Sequence, residues 1–295
     1  MSGDEPEPAS PRAPERHPIT QRPVQRADAA LGQLGATKLD EIAVEEPLEI
    51  RIASDTFATV MRTPGEDHYL TVGFLHGEGV VRSLADLGRV AHCGRPDAAG
   101  YGNLIDVQSG PGGVLAPELT QYGRRGTIVG SACGVCGRER IDDLVERLAK
   151  ITSSVRMPAT LVTQSAERLL ARQSAFARTG AMHGALALNA RGEELALSED
   201  VGRHNAVDKV IGKLLYAGLL AEGAAETQLL VVSGRASFEI VQKAAAARIP
   251  LLASVSAPTS LAIDLAAALG MTLVGFTRGT TFNLYTQPQR VDFGS

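Results

Sequence analysis

Between residues 229 and 276 short apolar runs alternate with helical periodicity, and this alternation restricts the fold more than any other stretch of the chain. Leu229–Val232 reads as a buried strand, Phe238–Ala247 as a helix, and Pro250–Val255 as the next strand. Thr259–Leu269 follows as a helix stopped by Gly270, and Met271–Phe276 is strand again. Strand–helix–strand–helix–strand closes as an α/β layer with a largely parallel core. Just upstream, Leu186–Leu188 and Leu195–Leu197 predict a hairpin around Arg191-Gly192, and Val207, Val210, Ile211, Leu214 and Leu215 mark one helix.

The first half of the chain has a different pattern. Glu41–Glu45 alternates, Pro47 interrupts, and Leu48–Ile52 alternates again, so both segments read as half-buried strands; Phe57–Arg62 is a third. Thr63–Asp67 is a turn feeding a helix through Tyr69, Val72, Gly73, Leu75 and His76, and Asn103–Val107 is one more strand. These elements predict a small α+β unit. Residues 1–28 are rich in Pro, Glu and Arg and too poor in apolar groups to offset the entropy of ordering, which predicts a disordered tail. Residues 29–152 then form the N-terminal unit and 153–295 the α/β unit, with the boundary at Ser153 to Pro158.

Composition narrows the function. The net charge of −4 gives no global basic field, and a chain without Trp offers little stacking surface, so nucleic acid is not an expected partner. The longest apolar stretches, Leu214–Ala221 and Leu229–Val232, are far too short to span a membrane, and the first residues lack the apolar core of a signal sequence; a cytoplasmic location is expected. Three cysteines cannot form a disulfide framework, and a Cys-x-x-Cys pair in such a chain points to thiol or metal chemistry in a reducing compartment.

That pair is Cys133-Gly134-Val135-Cys136. It follows the strand-like Thr127-Ile128-Val129 and precedes Ile141, Leu144, Val145 and Leu148, whose spacing predicts an amphipathic helix starting near Gly137 or Arg138. Thiols at a helix entrance, near Arg124, Arg125, Arg138 and Arg140, gain thiolate character. Three uses fit the pair on this evidence: a reactive sulfur site, a thioredoxin-like redox pair, and a merely structural pair. Full zinc ligation lacks a second Cys-x-x-Cys. Cys93, beside His92, reads as a buried bystander.

Several segments together carry a family resemblance. They are Thr63-Pro64 through Gly73-Phe74-Leu75 with Glu78-Gly79, Ser131–Gly137, Thr179-Gly180-Ala181-Met182-His183, Glu199–Lys209, Ser233–Ser237 and Ser254–Thr259. From about residue 38 to the C-terminus the chain resembles the formate dehydrogenase accessory sulfurtransferases, the FdhD family. The block Glu199-Asp200-Val201-Gly202-Arg203-His204-Asn205 is far more specific than the cysteine pair.

The resemblance implies that the α/β unit is cytidine deaminase-like and binds a cofactor as substrate. It implies a sulfur carrier that accepts persulfide sulfur from a cysteine desulfurase and passes it to the molybdenum bis(guanine dinucleotide) cofactor, which formate dehydrogenase needs for activity. It places the persulfide on Cys133, with Cys136 assisting, and it implies a homodimer. A zinc deaminase of the same fold is a poor match, because Gly184 and Ala185 follow His183 where His-x-Glu is needed, and no cysteine follows Cys136; no metal site and no zinc are expected. The family's cofactor-contacting segment corresponds to Phe276, Thr277, Arg278, Gly279, Thr280 and Thr281.

Strand-to-helix turns add two further candidates. Ser233–Ser237 places Arg235 and a glycine where a phosphate can approach, and Ser256–Ser260 repeats the arrangement; His183 is a separate candidate, which a satisfied core histidine would equally explain. Asp200, Arg203, His204 and Asp208 form either an ion network or part of a site. Two rival functions remain: a cofactor chaperone that moves no sulfur, and a thiol–disulfide oxidoreductase.

Overall fold

A computed structural model describes residues 17–94, 100–111, 115, 144–220 and 227–294. Order begins earlier than expected. β1 (Ile19–Val24) lies inside the segment read as a disordered tail. After the small β2 (Ala27–Asp28) and β3 (Gln33–Leu34) pair comes β4 (Lys38–Ala43), which pairs antiparallel with β1 from Ile19↔Ala43 to Val24↔Lys38. Pro23 is tolerated because a two-stranded ribbon leaves each strand an unpaired side. Backbone pairing to β4 therefore orders a segment whose composition alone predicted none.

β5 (Glu46–Ile52), β6 (Asp55–Arg62), β7 (Leu87–His92) and β8 (Leu104–Ser109) form a sheet in the order β6-β5-β8-β7, with α1 (Asp67–Gly77) packed on it. Pro47 sits within β5 instead of interrupting it. β8 joins β5 only from Glu49 onward, so the proline lies where the strand has a single neighbour. Leu48, Ile50, Val60, Leu70, Leu75, Ile105 and Val107 form this unit's core.

The second unit starts with β9 (Met157–Pro158), α2 (Ala159–Arg172) and α3 (Ser174–Thr179). β10 (His183–Leu188) and β11 (Glu194–Asp200) make the expected hairpin and lead to α4 (Arg203–Tyr216). Then come β12 (Leu229–Val232), α5 (Phe238–Ala246), β13 (Leu251–Ser254), α6 (Ser260–Leu269), β14 (Thr272–Arg278), β15 (Thr281–Thr286) and β16 (Val291–Asp292). The main sheet runs β11-β10-β12-β13-β14-β15. Only β12–β13 and β13–β14 are parallel, so the core is mixed and not largely parallel: the tight returns of β10–β11 and β14–β15 impose antiparallel pairing at both edges, and β10 meets β12 antiparallel too.

Alternate residues of the central strands serve opposite faces. Leu229, Val231, Leu251 and Ala253 pack against α2 with Val162 and Leu169. Leu230, Val232, Leu252 and Leu273 pack against α4, α5 and α6. The result is a three-layer α/β unit. Leu144 and Ile151 belong to this larger core, and the Ile151 N–H donates to the Leu269 carbonyl at 2.8 Å, so the segment expected at the end of the first unit packs with the second.

The two units are joined at α1 and α4, which cross backbone to backbone. A Cβ on Gly73 would overlap the Asp208 carbonyl, and one on Gly212 would overlap the Tyr69 carbonyl. Beside this seam Asp200 and Lys209 form a buried ion pair at 2.7 Å. The Asp200 carboxylate accepts the Thr63, Gly202 and Asn205 N–H groups, and Lys209 Nζ donates to the Thr63 carbonyl. Asp208 pairs with Lys243 of α5 at 2.8 Å, also buried. Of the four residues left open by the sequence, Asp200 and Asp208 are held in separate buried ion pairs, while His204 pairs with Glu239.

Candidate functional site

The carboxyl ends of β12, β13 and β14 converge with the start of β10 beside α2 and α3, the place where open α/β sheets hold ligands. A cavity of about 550 Å³ opens there. Its apolar walls come from Leu169 and Ala166 of α2, Phe176 of α3, and Met182. Its polar groups are Gln173, His183, Ser233, Thr277 and Arg278, with the exposed Glu167 of α2 as the one acidic group.

Each polar group has a local cause. Ser233 Oγ accepts the Gly184 N–H at 2.9 Å, pinning the end of β12 to β10. His183 stands over Gly234, where a Cβ would lie 3.4 Å from its Nδ1 and 3.5 Å from the Arg203 Cβ. Burial, reinforced by Arg203 and His204, holds the His183 imidazole below its ordinary pKa, so it is uncharged at neutral pH. His204 Nε2 lies 2.9 Å from Glu239 Oε2 and 3.1 Å from Ser237 Oγ, and this contact lowers the Glu239 pKa.

Two atoms in the cavity wall lack partners. Gln173 is 3% exposed and Thr277 1%, yet Gln173 Nε2 and Thr277 Oγ1 make no hydrogen bond. A buried polar group without a partner is costly, and these two atoms are sealed within the wall, away from the open space of the cavity. Arg278 and Gly279 supply an exposed cation and a left-handed backbone turn at the rim. An apolar slot with polar groups and a cation at its mouth suits a flat heterocycle bearing an anionic tail.

The expected site residues divide accordingly. His183, Thr277, Arg278 and Gly279, distant in sequence, meet in this one cavity. Phe276 is exposed beyond it, in a left-handed conformation with its N–H on the Ser256 carbonyl at 3.0 Å; Thr280 lies in the exposed turn after β14, and Thr281 opens β15, also exposed. Arg235 is exposed in the β12–α5 turn and does not line the cavity. Cys133, Cys136 and the arginines around them lie outside the described residues. Cys93 is partly exposed instead of buried, because it follows the last residue of β7; its backbone N–H donates to the Leu104 carbonyl and its thiol to the Ala91 carbonyl at 3.8 Å. Among the described residues no cluster of three or more His, Cys, Asp or Glu side chains has a metal-holding arrangement, and no helix is long and apolar enough to cross a membrane.

Gln173 and Phe176 were not legible as site residues. A single Gln at the end of an amphipathic helix looks like any surface residue, and nothing local shows that it folds inward. Glu199 gave a better signal, because it opens the Glu-Asp-Val-Gly-Arg-His block, although its role became visible only in three dimensions.

The FdhD/NarQ family profile matches residues 43–292, which include both the cavity and the cysteine pair. The chain belongs to the FdhD/NarQ family. Within that family it is 51% identical over 260 residues to the sulfur carrier protein FdhD of Anaeromyxobacter dehalogenans strain 2CP-C, covering 87% of this chain and 90% of the relative. It is 44% identical over 262 residues to the FdhD of Streptomyces avermitilis, also named a sulfur carrier protein, covering 87% and 90%. The fold is shared with a crystal structure of a putative formate dehydrogenase accessory protein from Desulfotalea psychrophila, at TM-score 0.70 and 22% identity, covering 93% of this chain and 99% of the other. The matched residues also include the Asp200–Lys209 block, whose buried ion pair and hydrogen bonds to Thr63 join the two units.

Proposed function

We propose that this protein is a sulfur carrier for a formate dehydrogenase. It accepts sulfur from a cysteine desulfurase on Cys133 and delivers it to the molybdenum bis(guanine dinucleotide) cofactor, held as substrate in the cavity between α2, α3 and the ends of β12–β14. The observation that carries this reading is the meeting of His183 with Thr277, Arg278 and Gly279, distant in sequence, around one apolar slot. The family's named sulfur carriers support the first half of the proposal.

The chemistry closes without an unassigned reactant. The Cys133 thiolate attacks the terminal sulfur of the desulfurase persulfide; a new S–S bond forms on Cys133 and the desulfurase thiolate leaves. Attack of the Cys136 thiolate on the Cys133 sulfur releases hydrosulfide as a ligand for the molybdenum and leaves a Cys133–Cys136 disulfide, which a cellular thiol then reduces. The described residues bind and orient the substrate. The Arg278 guanidinium and the Gly279 turn suit a phosphate, while the apolar walls suit a base. The deaminase-like description of the α/β unit and a homodimer are parts of the same reading.

The test is mass spectrometry of the full chain after incubation with a cysteine desulfurase and cysteine, with peptide mapping. Sulfur on Cys133, lost in Cys133→Ala together with activation of formate dehydrogenase, is the expected result. A Cys133→Ala protein that still activates formate dehydrogenase would show a cofactor chaperone instead. Sulfur found only on Cys93 would overturn the assignment.

A further inference from the structure

We propose that the N-terminal ribbon of β1 and β4 is a strap that sets the α3 wall of the cavity, with Glu41 and Arg178 as its positioning residues. This rests on the reading that the cavity holds the substrate, and it brings in a segment outside that site: Glu41 lies just before residue 43, where the family match begins.

α3 cannot hold its own place. It has six residues, only Ala175 of them is buried, and its start has no side-chain cap of its own. A helix this short does not persist without tertiary contacts. Yet α3 and the turn after it supply a continuous part of the cavity wall, through Phe176, Gly180, Ala181 and Met182. Where that wall stands therefore depends on what grips α3 from outside.

Two carboxylates grip it, one at each end. Glu199 of β11 takes the Ala175 and Phe176 N–H groups at 2.9 and 2.8 Å. At the last turn the Arg178 guanidinium forks onto Glu41 of β4, with Nε donating to Oε2 at 2.9 Å and Nη2 to Oε1. Two parallel N–H···O bonds fix orientation as well as distance. β4 also packs against α3. Neither Glu41 nor Arg178 lines the cavity, so both act through α3.

The ribbon is a sheet of its own. β4 is held to β1 along its whole length, and the Val44 N–H donates to the Pro18 carbonyl at 2.9 Å. Both side chains of the fork are partly exposed. Such a pair adds little to global stability. The same small energy acts on α3 alone, and local opening of a short surface helix costs far less than unfolding the protein. Loss of the fork should therefore free α3 and leave the fold intact.

Hydrogen–deuterium exchange and activation assays on the full chain test the strap. In Glu41→Arg, exchange of the α3 amides, Ala177 and Gly180 among them, should rise about threefold, with the melting temperature within about 2 °C of wild type. The concentration of this protein that half-activates formate dehydrogenase should rise by a similar factor, with maximal activation and sulfur loading of Cys133 unchanged. Arg178→Glu should behave alike. The double variant Glu41→Arg, Arg178→Glu restores the pair with its charges exchanged and should return both readouts to within about twofold of wild type. Unchanged α3 exchange in folded Glu41→Arg, or no recovery in the double variant, would overturn the strap. Faster α3 exchange with activation untouched would overturn the positioning role. Wild-type protein that fails to activate formate dehydrogenase would remove the reading of the cavity and the positioning role with it, while exchange still decides whether the ribbon holds α3.

Discussion

The Glu199 carboxylate closes the start of α3, with Oε1 2.8 Å from the Phe176 N–H and Oε2 2.9 Å from the Ala175 N–H. A strand residue thereby caps a six-residue helix that has no side-chain cap of its own. Glu199→Ala should cost about 1 kcal/mol in urea unfolding, the usual scale of a lost cap. It should also loosen Phe176 in the cavity wall, so activation of formate dehydrogenase should fall while sulfur loading of Cys133 is unchanged.

The Asp200–Lys209 pair is sealed from water and ties both units together. Lys209→Met leaves a buried carboxylate with two backbone donors and an amide but no counter-charge. A loss of about 3–5 kcal/mol is expected, the scale found when one member of a buried pair is removed. Chemical denaturation followed by circular dichroism reads it directly, and a loss below about 1 kcal/mol would contradict the pair's structural role.

At the α1–α4 crossing, Gly73→Ala and Gly212→Ala each push a methyl group into a carbonyl of the facing helix. Backbone cannot move aside as a flexible side chain can, so each change should destabilise by about 3 kcal/mol, the upper end for overpacking. Unfolding midpoints report the loss, and the two variants together should be less than additive because both open the same seam.

His183 gives a pH dependence with a definite sign. Its folded pKa lies below the ordinary 6.5, first because of burial and then because of Arg203 and His204. As the pH falls, the unfolded chain takes up this proton before the folded one does. The contribution of His183 to stability is therefore complete above pH 6.5 and is lost as the pH falls through the lower folded value. Between about pH 7.5 and about pH 5.5, His183→Gln should lose less melting temperature than the wild type. Equal losses would mean that His183 is not the group responsible.

The sheet and helices of residues 183–278 could be read from sequence because period and turn residues agree there, and Leu229–Val232 is as buried as its uninterrupted apolar run suggests. The order of the strands was less legible, since periodicity does not say which edges are closed by hairpins. Part of the cavity was visible in His183 and Thr277–Gly279. Arg235 is exposed and lies outside the cavity lining, and a cation in a strand–helix turn reads the same in sequence whether it turns inward or out to water. Gln173 was missed because it folds inward into the space left above Gly184, and no local pattern records that space.

The latch between residues 151–158 and the end of the chain bears on biosynthesis. The Arg290 guanidinium, nearly buried, donates to the Ile151, Ser153 and Gly270 carbonyls, and β16 lies alongside β9. A growing chain meets the first half of this latch long before the second half leaves the ribosome. The larger unit can therefore close this latch only after residues 288–292 have been made. Until then Met157 lacks its strand partner, and the Ile151 and Ser153 carbonyls lack the guanidinium that bridges them in the finished fold.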